Sequence, residues 1–351
     1  MHGLLTQRVE PALAAKVEVL SRPDTYDPAP AEVARRETHM SWVFLAGERV
    51  YKLKKPVRFP YLDFSTLARR EVACRAELRL NRRLAPDTYL GVVPLTAGPG
   101  GLAIGGAGEP VDWLVTMNRL DEHFMLDHMI EVGALQRAQL DRLVDTLANF
   151  YRSAVPTMLS PASYLVGWKQ SLAENFRGLL DARFRMPTGL VRQINRTQRR
   201  FLQRRGDLIA DRLRHRRIVD GHGDLRPEHI WLDDKVRIID CLEFNDRLRM
   251  VDPFDEIAFL SLECERLGAA WAGDYLRRRM MDRLRDGPAD VLFTFYRCHR
   301  AMLRARLAIA HLAEAHPRTP EKWPPLAAAY LALAERDAGR LEGLLKTPSG
   351  R

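Results

Sequence analysis

The spacing of apolar positions divides the chain into a strand-rich first third and a helical remainder. Leu5, Val9, Leu13, Val17 and Leu20 recur every three or four residues, which predicts an amphipathic opening helix. Pro23, Pro28 and Pro30 end it and form a linker. From Ser41 the period changes. Residues 42–45 and 49–54 flank Ala46-Gly47-Glu48 and predict a β-hairpin. Alternation in its second strand sets Val50, Lys52 and Lys54 on one face and Tyr51 and Leu53 on the other. A helix follows from Thr66 to Leu84, stopped by Pro86. Residues 92–95 and 111–117 predict further strands. The glycine-rich stretch 98–108 between them reads as a flexible connection, because it lacks the Gly-Lys-Ser/Thr ending of a phosphate loop and opens no helix.

Beyond Leu120 the pattern is helical. Leu140, Leu143, Val144, Leu147, Phe150 and Tyr151 form one apolar stripe, and Tyr164, Leu165, Trp168, Leu172, Phe176 and Leu179 another. One stretch interrupts it: residues 230–232 and 236–239 are short strand-like runs on either side of an Asp233-Asp234 turn. Asp252 followed by Pro253 and Asp255 reads as a helix start with Asp252 as its cap. Four prolines at 317, 320, 324 and 325 separate a final Ala/Leu-rich helix.

With 351 residues, 46% of them hydrophobic, the chain suits one large domain or two lobes, divided here at 1–117 and 118–351. The net charge of +10 raises a nucleic-acid reading. Arginine, however, is spread through most predicted helices. The runs at Arg199-Arg200, Arg204-Arg205 and residues 212–217 read as solvated faces, without interleaved aromatic platforms. Arg297, Arg300, Arg304 and Arg306, beside Tyr296, read the same way. The charge therefore favours an anionic ligand such as ATP over nucleic acid. Cys74, Cys241, Cys264 and Cys298 are scattered, as buried thiols in a reducing compartment would be. There is no secretory signal and no apolar run near the ~20 residues of a membrane span, so a cytoplasmic protein without a membrane partner is expected.

The stretch from Asp220 to Asp240 carries the candidate chemistry. A polar loop followed by a tight hairpin is expected to set Asp224, His229 and Asp240 at neighbouring ends of rigid elements. One carboxylate can take a hydroxyl proton while two other groups hold Mg²⁺, the requirement of phosphoryl transfer. Glu243 is a further ligand, an acceptor that supports the ligands from behind, or a partner of Arg247.

His222-Gly-Asp224, Leu-Arg-Pro-Glu-His229 and Ile-Ile-Asp240 resemble the catalytic and metal-binding segments of the aminoglycoside phosphotransferase family, a branch of the protein-kinase-like fold. Residues 37–41, 54–57, 62–66 and 89–93 resemble an uncharacterised bacterial branch of it. The resemblance implies a two-lobed α+β fold, with a small antiparallel-sheet N-lobe, a mainly helical C-lobe and ATP between them. It implies Asp224 as catalytic base, and Asp240 and His229 as ligands of Mg²⁺ or, alternatively, Mn²⁺. The family usually has Asn where this chain has His229, and an imidazole suits Mg²⁺ less well than a carboxamide oxygen. It further implies a phosphate-neutralising strand lysine, Lys52 with Lys54 as rival, paired to a helix glutamate, Glu77 with Glu71 as rival. Thr38, His39 and Ser41 take the place of a glycine-rich phosphate loop, and Met117 lies where a hinge would meet adenine. The implied activity is transfer of the ATP γ-phosphoryl group to a hydroxyl of a small molecule that the sequence does not name. Three rivals stand beside it: a catalytically weak kinase-like nucleotide-binding protein, a basic nucleic-acid-binding protein, and a kinase acting on protein Ser/Thr.

Overall fold

The computed structural model describes residues 11–59, 61–314 and 317–346, so Leu5 and Val9 of the expected opening helix lie outside it. The chain divides into two units, one of Met1–Glu122 with Arg237–Asp246, the other of His123–Val236 with Arg247–Arg351.

The first unit begins with helix α1 (Leu13–Leu20). Strands β1 (Val33–Glu37), β2 (Ser41–Ala46) and β3 (Arg49–Lys54) follow, then the two-residue strands β4 (Arg58–Phe59) and β5 (Leu62–Asp63). Helix α2 (Leu67–Asn81) comes next, with Thr66 accepting a hydrogen bond from the Arg69 amide as its cap. Strands β6 (Tyr89–Gly98), β7 (Gly101–Ile104) and β8 (Glu109–Asn118) complete an antiparallel sheet of order β1-β2-β3-β8-β6-β7.

The sheet holds apolar layers on both faces. Leu45, Val50, Val115 and Met117 pack with Cys74 of α2, whereas Phe44, Leu53, Leu95 and Leu114 pack with Val17 and Leu20 of α1. The glycine-rich stretch read as a flexible connection contains β7. Its Leu102 and Ile104 alternate onto the α1-side core, and that burial holds the segment against β6. β1 escaped the sequence pattern because its three central residues are exposed.

One buried carboxylate joins both helices to the sheet. Asp112 of β8 meets Lys16 of α1 at 2.7 Å through one oxygen and Arg70 of α2 at 2.8 Å through the other, all three inaccessible to solvent or nearly so. Its Oδ1 also accepts from the Trp113 amide, and Arg70 donates to the Phe64 carbonyl.

The second unit is mainly helical. It contains α3 (Leu126–Glu131), α4 (Arg137–Ser153), α5 (Pro161–Leu179) and α6 (Thr188–Arg214), the last kinked where Arg205 leaves helical geometry. Strand β9 (Val219–Asp220) leads into the loop of interest and β10 (Ile230–Leu232) leaves it. β11 (Val236–Ile238), within which the division between units falls, completes the expected hairpin strands. β12 (Met250–Val251) pairs with β9, and α7 (Pro253–Arg266), α8 (Ala270–Leu284), α9 (Asp290–Ala310) and α10 (Trp323–Lys346) follow. The α4 stripe from Leu140 to Tyr151 is buried as predicted. A core of Leu179, Ile194, Leu262, Met302 and Leu331 joins α5, α6, α7, α9 and α10.

Arg199, Arg204, Arg214, Arg216 and Arg217 are exposed as expected, but four other arginines read as solvated correct that reading. Arg212 forks onto Asp252 at 2.5 and 2.9 Å, and Arg300 forks onto Asp255 at 2.8 and 2.7 Å. Arg297 reaches Asp337 and Glu265, and Arg304 reaches Glu263. Charge counting along one helix cannot see acids supplied by another. Among the described residues, no helix is long and apolar enough to cross a membrane.

Replacing Asp112 with Asn leaves two buried cations facing a neutral amide. The unfolding free energy from urea titration is expected to fall by ~3–5 kcal/mol. A loss under ~1 kcal/mol would show that the triad does not tie the helices to the sheet.

Candidate active site

The first unit assembles its charged cluster from β3, α2 and the segment after β11. Alternation places Lys52 and Lys54 on one face of β3, two residues and about 6.8 Å apart. Glu77 of α2 receives both. Its Oε1 lies 2.9 Å from Lys52 Nζ and its Oε2 lies 2.6 Å from Lys54 Nζ. Lys52 also donates to Asp240 Oδ1 at 2.6 Å, and Lys54 donates to Glu243. The Lys52 side chain is 15% exposed, that of Lys54 1% and that of Asp240 44%, so Lys52 and Asp240 present themselves to solvent while Lys54 does not.

Burial opposes the charge on Lys52, but the Asp240 and Glu77 carboxylates outweigh it and raise its pKa well above the usual value. Burial likewise opposes the charge of Glu77, and the two ammonium groups nevertheless hold its pKa down. Both groups stay ionised.

Asp240 adopts a left-handed backbone (φ 60°), which Asp tolerates better than most residues. The segment is pinned on either side of it. The Asp240 amide donates to the Tyr89 hydroxyl at 3.2 Å, the Cys241 amide to Asn81 Oδ1 at 2.9 Å, and the Ile238 amide to the Leu84 carbonyl. Tyr89, Asn81 and Lys54 thus shape this cluster. Alternation exposed Lys54 in the sequence, but nothing there singled out the other two.

The remaining candidates in this unit sit elsewhere. Glu71 pairs with Arg75 on the outer face of α2. The Thr38 hydroxyl accepts from the Ser41 amide at 2.9 Å and so closes the β1–β2 turn, while Ser41 is buried opposite Lys54 in register. Met117 lies in the sheet core between Val50 and Tyr89. Glu243 finds Lys54, a partner that sequence proximity to Arg247 did not suggest.

The second unit builds the loop carrying Asp224. Glu256, in the first turn of α7, accepts from the amides of His222 and Gly223 and from the Tyr151 hydroxyl. Asp252 caps the same helix by accepting from the Phe254 amide, as expected, and also accepts from Tyr296. Two glycines permit the arrangement. Gly223 has φ 90°, and a side chain at Gly221 would meet Val251 Cγ2 at 2.6 Å and Glu256 Oε2 at 2.7 Å.

Past this brace, His229 Nδ1 donates to the Asp224 carbonyl at 2.9 Å, within 3.7 Å of Asp224 Oδ2. A neutral imidazole donating from Nδ1 carries its lone pair on Nε2, the atom that can ligate a metal. Burial works against an ionised Asp224, but nearby cationic charge, that of the Arg226 guanidinium above all, holds its pKa below the usual carboxylate range. Asp224 is therefore an acceptor at neutral pH. The structure thus joins Lys52, Glu77 and Asp240 within one unit and Asp224 with His229 within the other.

A six-stranded antiparallel sheet with a helix against one face, together with a mainly helical unit, is the α+β architecture of the protein-kinase-like fold, and this chain has that fold. It is similar to a choline kinase from Cryptosporidium parvum (TM-score 0.55, 9% identity, covering 95% of this chain and 96% of that one). It is also similar to a thermostable mutant of an aminoglycoside phosphotransferase (TM-score 0.50, 10% identity, covering 93% and 97%). At these identities the likeness is one of fold. An uncharacterised protein of Mycobacterium tuberculosis is 36% identical over 289 residues, covering 80% of this chain and 56% of that protein. The chain thus spans about half the length of the curated relatives it matches. No protein-family model matches it.

Gly221→Ala forces Val251 or Glu256 to move, and Glu256 cannot do so without releasing the loop amides. An overpacking loss of ~1–3 kcal/mol is expected, read as a lower Tm. An unchanged Tm would mean that the loop has slack the contacts do not suggest.

Proposed function

We propose that this chain is an ATP-dependent phosphotransferase that moves the γ-phosphoryl group to a hydroxyl of a small molecule, and that it works in the cytoplasm. The observation that carries this reading is the strand lysine Lys52, held charged by buried Glu77 and in contact with Asp240. An ammonium fixed in this way is suited to hold nucleotide phosphates. Lys52 takes that role in preference to Lys54, because a side chain only 1% exposed has no access to a ligand. The four buried free cysteines agree with a reducing compartment.

In this reading Asp224 orients the acceptor hydroxyl and takes its proton. Its lowered pKa makes it a weak base, which suffices because a loose transition state demands proton removal late. The donor set suits a hard divalent cation in part. The accessible Asp240 carboxylate fits Mg²⁺, whereas His229 offers a nitrogen through Nε2, which fits Mg²⁺ less well and leaves Mn²⁺ as the alternative. Asp240 and His229 would hold the ion, which when bound neutralises phosphate charge.

Acceptor-dependent ADP release, screened across sugars, amino alcohols, nucleosides and aminoglycosides, tests the reading. Asp224→Asn is expected to keep ATP affinity in calorimetry while lowering turnover by at least ~10²-fold. Unchanged ADP production would remove Asp224 from its role. His229→Asn, which supplies a carboxamide oxygen, is expected to lower the Mg²⁺ concentration needed for half-maximal activity. An unaltered Mg²⁺ titration would show that His229 is not a ligand.

A further inference from the structure

Lys54 has no place in the proposed chemistry, yet it is the most enclosed cation of the cluster. It donates to Glu77 Oε2 at 2.6 Å and to Glu243, and its ammonium lies 4.9 Å from the centre of the Phe64 ring. An ammonium has three N–H donors, and two of its neighbours here are carboxylates that accept from it. Glu243 stands three residues beyond Asp240, so one buried side chain links α2 to the segment that carries the proposed metal ligand. The five charged groups form a closed circuit: Lys52 to Glu77, Glu77 to Lys54, Lys54 to Glu243, and along the backbone to Asp240, which returns to Lys52.

We propose that Lys54 is a positioning residue. By occupying the second oxygen of Glu77 it fixes the carboxylate's rotation, and hence the site that Lys52 takes on the first oxygen. By holding Glu243 it fixes the distance from that carboxylate to Asp240. This rests on the phosphotransfer reading, since Lys54 acts only through Lys52 and Asp240. A carboxylate with one partner can pivot about its terminal bond, whereas a carboxylate with both oxygens paired cannot do so without breaking a buried ion pair. Without Lys54, buried Glu77 and half-buried Glu243 would be left as two anions with a single ammonium nearby, and Lys52 would be drawn toward the pair and away from its ligand-facing position. Lys54 is also one of the two cations that depress the Glu77 pKa, so its loss raises that pKa.

The test compares ADP release by the full chain with that of Lys54→Met, Lys54→Arg and Glu243→Gln across pH, well below each protein's Tm. Lys54→Met is expected to lose ~10- to 100-fold in kcat/KM, the scale of a small misplacement of a catalytic group. The acid limb of its pH profile should move to higher pH, because a Glu77 of raised pKa is protonated sooner as pH falls. Lys54→Arg, which can fork to both carboxylates, should recover much of the loss. A folded Lys54→Met with the parent's kcat/KM and pH profile would overturn the proposal, since a purely structural lysine changes stability and leaves the acid limb in place. If Lys54→Met does not fold, the near-isosteric Glu243→Gln decides: a loss of kcat/KM at unchanged Tm supports the link to Asp240, and full parental activity refutes it. A parent that releases no ADP with any acceptor fails the phosphotransfer reading itself, and shows this before any variant is made.

Discussion

A single buried carboxylate, shared between two ammonium groups on one strand, sets the geometry of the first unit's cluster. Strand alternation puts Lys52 and Lys54 on one face, and burying both there requires an anion between them. Glu77 supplies it, which fixes the height and rotation of α2 over the sheet. One turn further along, Asn81 lies on the same helix face and accepts from the Cys241 amide. The same helix therefore addresses the strand lysines and the backbone beside Asp240. Ion pairs this deeply buried add little net stability against an apolar substitute, because desolvation consumes most of the attraction. Their consequence is a unique arrangement, and removing any one member is costly.

The second unit solves a related problem with opposite signs. Three carboxylates, Asp252, Asp255 and Glu256, lie buried in and before the first turn of α7. The helix N-terminus favours negative charge there, but that alone cannot offset the burial of three. Arg212 and Arg300 each take one carboxylate as a two-pronged partner. Glu256 has no such fork and instead gathers the amides of His222 and Gly223. The loop carrying Asp224 is thus shaped by the one acid of the three that was left for it. Arginines that look like free surface charge in the sequence thus hold helices together as neutral pairs.

What the sequence made legible follows the range of each signal. Period-two alternation in residues 49–54 and a helix opening at Thr66 are local, and the structure matches both. So is Asp252 before Pro253. Signals that depend on a distant partner were silent or misleading. Arg300 looked solvated because Asp255 lies 45 residues away, and Lys54 looked like a duplicate of Lys52 because Glu243 lies 189 residues away. Tyr89 and Asn81 carry no motif, and only the path of the backbone gives them hydrogen-bonding roles beside Asp240. The β1 strand, with an exposed centre, had no apolar pattern to read.

The environment of Asp224 bears on which reactions the loop suits. A carboxylate whose pKa is held down by Arg226 is ill matched to chemistry that must strip a proton early, because the driving force for transfer falls as the base weakens. Phosphoryl transfer through a loose transition state does not require this, since bond-breaking at phosphorus runs ahead of attack and the hydroxyl becomes acidic only late. Under the proposed function a low-pKa Asp would be an advantage, remaining an acceptor at any physiological pH and holding the hydroxyl in line. His229, by donating to the Asp224 carbonyl, fixes the backbone on which that carboxylate hangs. Under the proposed function, the reaction type is therefore written into the loop and the strand lysine, while the choice of acceptor must come from side chains outside both.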